Sequence, residues 1–159
     1  MTVTVAMIQI LAATIGSLGF AVLFNIRGVK LIAVSLGGGL AWTLFLLLDR
    51  FVASEMLSYF IVALTVSFYA ELMARVLKSP ATVFIAPCLI PMVPGASLYY
   101  TMAHALNKNP EGFFEKGLTT VQLAAALAIG IIVSAVVMRV ITKAVWFFKA
   151  KKRLKAENY

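Results

Sequence analysis

Long apolar runs alternate along the chain with short polar interruptions, and the runs have the length of membrane crossings. Val3 to Phe24 is almost wholly apolar and ends at the basic turn Asn25-Ile26-Arg27-Gly28-Val29-Lys30. A membrane helix rises about 1.5 Å per residue and needs roughly 20 apolar residues, so this run predicts a first span (residues 3–24). Leu31 to Leu48 (31–48) predicts a second, near the lower limit of length, closed by Asp49-Arg50 and a hairpin that includes Glu55. A third span runs from about Met56 to Leu77 (56–77). The fourth, about Ala81 to Leu106 (81–106), is apolar but carries Pro87, Pro91 and Pro94, followed by Gly95. A polar connection, Asn107 to Gly117, leads to a fifth span near Leu118 to Met138 (118–138), with Thr119 and Thr120 placed to cap it. Its pattern continues through Trp146-Phe147-Phe148, an interfacial aromatic belt, into a basic C-terminal tail (139–159).

These patterns predict an all-α integral membrane protein, one polytopic domain over residues 1–159 with about five transmembrane helices. Four spans result if the short second run is re-entrant or interfacial. Gly16 and Gly19, with Ser17 between them, offer the first span a small-residue surface for close helix approach, and Gly37, Gly38 and Gly39 do the same at the centre of the second. The fourth span departs most from a plain helix. Each proline removes a backbone donor and crowds the preceding turn, so three within eight residues predict roughly two unwound turns. Irregular backbone at membrane depth is tolerated only where it is buried in protein or lines a cavity.

Composition narrows the class. The chain has 159 residues, 62% hydrophobic and 13% charged, with a mean hydropathy of +0.99; a water-soluble domain of this length has no way to hide that much apolar side chain. The net charge of +8 is a membrane-flanking cluster rather than a nucleic-acid surface, because seven of the fourteen Lys and Arg residues lie at or after Arg139. With the C-terminus cytoplasmic, the inner segments hold Arg27, Lys30, Arg75, Lys78 and those seven, while Arg50, Lys108 and Lys116 lie outside beside Asp49, Glu55, Glu111 and Glu115. The positive-inside rule therefore predicts the N-terminus outside and the C-terminus inside. The first run has no basic leader region or A-x-A site and reads as a retained span. The single Cys88 forms no internal disulfide and suggests no metal site.

Among ionisable residues, Glu71 stands out. About seven residues from Lys78, it lies roughly 10 Å deep, where an acid is costly and marks a functional-site hypothesis. Arg75, four residues on, is its expected partner, so the pair serves gating or proton coupling or is a structural ion pair. Beyond the break, Gly95-Ala96-Ser97 begins a half-helix whose free N–H groups and positive dipole end suit a carboxylate. Pro91, Pro94, Gly95, Ala96, Ser97 and Tyr100 form the expected substrate-binding set. His104 reads as interfacial and Cys88 as a small apolar filler. No Walker loop, dinucleotide fingerprint, nucleophile elbow or HExxH is present, so no cofactor, metal or enzymatic activity is expected.

Gly19-Phe-Ala-Val-Leu-Phe-Asn25, Leu36-Gly-Gly-Gly-Leu-Ala-Trp42, Ala70-Glu-Leu-Met-Ala-Arg75, Pro80-Ala-Thr-Val-Phe84 and Ile90-Pro-Met-Val-Pro-Gly95 occur in that order. Together they resemble the threonine/serine exporter family, specifically its second membrane domain, with PATVF and IPMVPG the more specific pieces. The resemblance covers about residues 19 to 102. It implies a bacterial inner-membrane exporter of small carboxylate-bearing metabolites, driven by an ion gradient. In that family the domain is also made as a separate small subunit that pairs with a larger one, a pairing associated with succinate export. The resemblance thus implies a larger exporter subunit as partner, in addition to lipid. The alternatives are a non-transporting accessory or scaffold subunit and a passive homo-oligomeric channel.

Overall fold

The computed structural model describes the backbone of residues 2–157 and the side-chain surroundings of residues 2–144. Six α-helices follow one another: α1 (Val3–Leu23), α2 (Val29–Phe51), α3 (Glu55–Val76), α4 (Thr82–Leu89), α5 (Gly95–Leu106) and α6 (Pro110–Glu157), with a 3-10 turn at Ile90–Met92. Among the described residues there is no strand. Among the described residues, four helices are long and apolar enough to cross a membrane, and the bent α4–α5 pair makes a fifth if it counts as one span. The chain is an all-α, multi-pass membrane protein.

Three of the helix ends are built alike. After α1, Asn25 takes a positive φ of 57° while its N–H donates to the Val22 carbonyl and the Ile26 N–H to the Ala21 carbonyl. This reciprocal closure satisfies carbonyls that the helix end leaves free. Ser79 donates to Ala74 after α3, with Lys78 at φ 47°, and Asn109 donates to His104 after α5, with Lys108 at φ 52°. Connections this tight let neighbouring helices pack directly. α1 lies along α2, α3 along α6, α4 sits between α2 and α3, and α5 lies against α6.

The core is made largely of small and β-branched side chains: Val34, Ala41, Val62, Val66 and Ala70 are fully buried, together with Phe84, Cys88 and Met92 of the broken span. Large apolar residues such as Leu11, Phe51, Leu72 and Ile132 face outward. That is the distribution expected where lipid, not water, surrounds the helices, so contact between helices depends on close packing.

Several sequence expectations need correction. The helix that carries the second span extends beyond 31–48: α2 has 23 residues and carries Asp49 and Arg50 in its last turn. The turn onto α3 is only Val52-Ala53-Ser54, with the Ser54 hydroxyl accepting from the Leu57 N–H at 3.4 Å. The helix that carries the fifth span starts at Pro110, eight residues before the expected Leu118. Asn109 caps it, its side-chain oxygen accepting from the Gly112 N–H at 3.1 Å, and Pro110 fills a first-turn position where no donor is needed. Thr119 and Thr120 are consequently mid-helix, donating to the Glu115 and Lys116 carbonyls. Gly16 and Gly19 face outward with nothing within 4 Å of an added Cβ, because Ala13, Ser17 and Ala21 form the buried face of α1.

The break is also smaller than two turns. Pro87 is accommodated inside α4, fully buried, and regular helix persists to Leu89. Only Ile90 to Pro94 departs from it, through the 3-10 turn and an extended Val93, and the two halves meet at 56°. The expected aromatic belt at 146–148 and most of the basic tail lie outside the residues whose side chains are described.

Candidate functional site

Two places carry the chemistry expected from the sequence, and they are separate. The first is a cleft of about 650 Å³ between α3 and α6, lined by Glu71, Arg75, Met138, Arg139, Thr142 and Lys143 among others. Its position follows from the packing of the two helices below it. A Cβ on Gly130 would lie 2.7 Å from the Ala63 Cβ and 2.8 Å from the Phe60 carbonyl oxygen, so the backbones touch there and only glycine fits. Two turns further on, Met138 and Glu71 replace these small residues, and the seam opens.

Within the cleft, Arg75 does not pair with Glu71, contrary to expectation. Its Nη2 donates instead to the Thr142 hydroxyl at 2.6 Å, and that hydroxyl donates to the Met138 carbonyl at 2.6 Å. Lys116–Glu115 is the sole ion pair among the described residues. The half-buried Glu71 carboxylate therefore shares the cleft with three cationic side chains, Arg75, Arg139 and Lys143, and neutralises none of them by direct contact. Arg139, Thr142 and Lys143 were not singled out by sequence reasoning. The available signal was their i, i+3, i+4 spacing near the end of an apolar run, which puts them on one helix face.

The second place is the bend. Pro94 precedes α5 as its N-cap residue without a side-chain cap. The Gly95 N–H turns back to the Val93 carbonyl at 2.6 Å and the Leu98 N–H reaches the Pro94 carbonyl at 3.0 Å. The intervening Ala96 and Ser97 N–H groups are the ones that helix geometry leaves free. Gly95 and Ala96 are exposed, Tyr100 is 53% exposed, and Pro91, Pro94 and Ser97 are half-buried. None of these six residues lines the α3–α6 cleft. The bend thus presents its donors on the outer surface of the chain.

The three central glycines lie at the crossing of four elements. An added Cβ on Gly37 would strike the Cys88 sulfur and come within 2.9 Å of the Tyr69 ring; on Gly38 it would overlap the Ser17 hydroxyl, and on Gly39 it would come within 2.5 Å of the Thr14 hydroxyl. Tyr69 adds a tether unnoticed in the sequence, its hydroxyl donating to the Ala33 carbonyl at 2.7 Å. The Cys88 thiol makes a weaker contact of 3.5 Å with the Val34 carbonyl. His104 packs against Gly112 at the α5–α6 corner, with Nδ1 3.5 Å from the Asn109 side-chain amide.

The described residues thus form an all-helical, multi-pass membrane protein with a bent helix pair and, apart from it, a charged cleft. The chain belongs to the family described as Threonine/Serine exporter, ThrE, whose sequence profile matches residues 9–137. This match takes in α1 from Gln9 onward, α2 to α5, the bend, Glu71 and Arg75, and most of the apolar part of α6. It assigns the chain an exporter-type role in membrane transport and points away from an enzyme. No curated relative and no solved structure matches it.

Proposed function

We propose that this chain is one subunit of a secondary-active exporter of small carboxylate metabolites, threonine, serine or a succinate-like acid, and that a larger membrane subunit completes it. The observation that carries the reading is the exposed start of α5. Two free N–H groups at the surface of an apolar helix pair are costly against lipid, and a second protein surface enclosing them would form a polar, carboxylate-sized site. The half-helix dipole and the Ser97 hydroxyl suit such a group. In this reading Pro91, Pro94, Gly95, Ala96, Ser97 and Tyr100 bind substrate while the bend rocks between inward- and outward-open states, and Glu71 with Arg75 gates the inner side. Gly37, Gly38 and Gly39 keep α1, α3 and α4 close to α2 during that motion.

The distribution of Lys and Arg supports a bacterial inner-membrane orientation with the N-terminus outside and the C-terminus cytoplasmic, placing the α3–α6 cleft on the inner side. The test is reconstitution with and without a co-encoded larger subunit, followed by efflux of labelled threonine, serine and succinate. Gradient-driven efflux should require both chains, and Glu71→Gln should abolish it while the complex still assembles. Normal transport by that variant would remove Glu71 from the mechanism. Flux from this chain alone without a gradient would indicate a channel. Unchanged selectivity in Ser97→Ala and Pro94→Ala complexes would leave the chain an accessory.

A further inference from the structure

The contacts between α3 and α6 keep one register along the seam. Arg75 meets Thr142 at a separation of 67 positions, and Ala63 meets Gly130 at the same separation. Extended between these contacts, the same separation sets Ser67 level with Ser134, one helical turn from Ala63–Gly130 and two turns from Arg75–Thr142, with Glu71 and Met138 at the level between. Ser67 is 1% exposed and Ser134 0%, and neither hydroxyl has a hydrogen-bond partner. Hydroxyls in helices ordinarily satisfy themselves on the carbonyl four residues back. Thr14, Ser35, Thr43, Thr65, Thr119 and Thr120 all do so here. A third unpartnered hydroxyl, Ser17, is pressed against Gly38 on the far side of the molecule. The remaining two lie about two turns deeper than the Arg75–Thr142 contact.

We propose that the α3–α6 cleft is a binding site for an organic anion, whose carboxylate or phosphate is held by Arg75, Arg139, Lys143 and Thr142. The unsatisfied Ser67 and Ser134 hydroxyls are buried deeper in the seam, outside the lining of the cleft. Arg75 spends one donor on Thr142 and keeps others of its five for a ligand. Arg139 and Lys143 are one turn apart on the facing helix, so the three cations converge on one opening. Glu71 stands in that opening as a carboxyl group that an incoming anion must displace or outbid. The inference gives a ligand class to residues the exporter reading uses as a gate. It rests on that reading for its cellular role but not for its test, because binding is measured on this chain by itself. A carboxylate solute and a lipid phosphate share the required chemistry, and the experiment has an arm for each.

The full chain is placed in nanodiscs of phosphatidylcholine and titrated with succinate and with threonine. In parallel, nanodiscs containing phosphatidylglycerol are examined by native mass spectrometry for retained anionic lipid. Saturable binding in the first arm identifies a solute site, and selective lipid retention in the second identifies a headgroup site; either supports the proposal. Arg75→Gln and Arg139→Gln should each weaken the bound anion about tenfold. Glu71→Gln should tighten it severalfold, a sign that damage to folding does not produce. Arginine variants with wild-type affinity, weaker binding in Glu71→Gln, or no anion held in either arm would overturn the site. Binding that follows the predicted pattern while the two-subunit complex exports nothing would retain the site and sink the exporter reading instead.

Discussion

Adjacent helices α1 and α2 both carry glycines, and the two sets have opposite fates. Gly37, Gly38 and Gly39 point into neighbours so close that a single added carbon would overlap a side chain, whereas Gly16 and Gly19 face outward with open space around them. Yet it is these two helices that pack against each other. The difference is one of phase. On α1 the close-approach surface is Ala13, Ser17 and Ala21, spaced by four, and the Ser17 hydroxyl occupies the place a Gly38 Cβ would take. Small residues in a membrane helix thus show that close packing is available, and only the helix face decides whether it is used.

The largest effects should come from filling the tightest contacts. At Gly130 the obstacles are backbone atoms of α3 and the Ala63 Cβ, none of which can rotate away. Gly130→Ala should therefore destabilise the chain by about 3 kcal/mol, the upper part of the range for overpacking. Gly38→Ala meets the Ser17 Cβ at 2.5 Å as well as its mobile hydroxyl, and should cost about 2 kcal/mol, part of it recovered by Ser17→Gly. Reversible unfolding in mixed micelles checks both. Equal and small losses at the two positions would mean that the seams breathe enough to admit a methyl group, and the contrast with α1 would collapse.

Gly37 sharpens the comparison because what it admits is partly polar. The Tyr69 ring reaches over it to donate to the Ala33 carbonyl at 2.7 Å, which ties α3 to α2 near the centre of the core. Tyr69→Phe keeps the ring and removes the hydrogen bond. Interhelical hydrogen bonds in membrane proteins are worth about 0.6 kcal/mol on average, so the expected loss in the same unfolding measurement is of that size. A loss several times larger would make the hydroxyl, rather than the close fit of the ring, the reason a glycine stands at 37.

The spans and the site of the break were legible because apolar run length and proline chemistry act locally. The element boundaries were less so, for identifiable reasons. Asn109-Pro110 is a helix-start signature, but the acids and glycines after it resemble a loop, and the cap outweighs them. Asp49 and Arg50 look like the end of a span, although a helix that reaches the interface can carry charges in its last turn. Lys78 and Lys108 close helices with positive φ, a conformation no composition rule assigns to lysine. The cleft was half legible. Glu71 drew attention as an acid at depth, but its expected partner Arg75 is engaged by Thr142, a residue 67 positions away. Spacing within one helix finds i, i+4 pairs, whereas the register between α3 and α6 is a property of the fold.

The smallest expected effect completes the contrast and is the most exposed to refutation. Gly16→Ala and Gly19→Ala add a methyl group where nothing lies within 4 Å. Alanine is the better helix former by up to about 1 kcal/mol in an exposed helix interior, so each change should leave the chain as stable as before or slightly more so. The measurement belongs in nanodiscs holding a single copy, where no second chain can contribute. There, a loss above about 0.5 kcal/mol at either position exceeds what surface substitutions ordinarily cause. It would mean that some other part of the chain approaches the outer face of α1. The two sets of glycines would then differ in degree and not in kind, and the four-residue phase of Ala13, Ser17 and Ala21 would no longer account for how α1 is oriented.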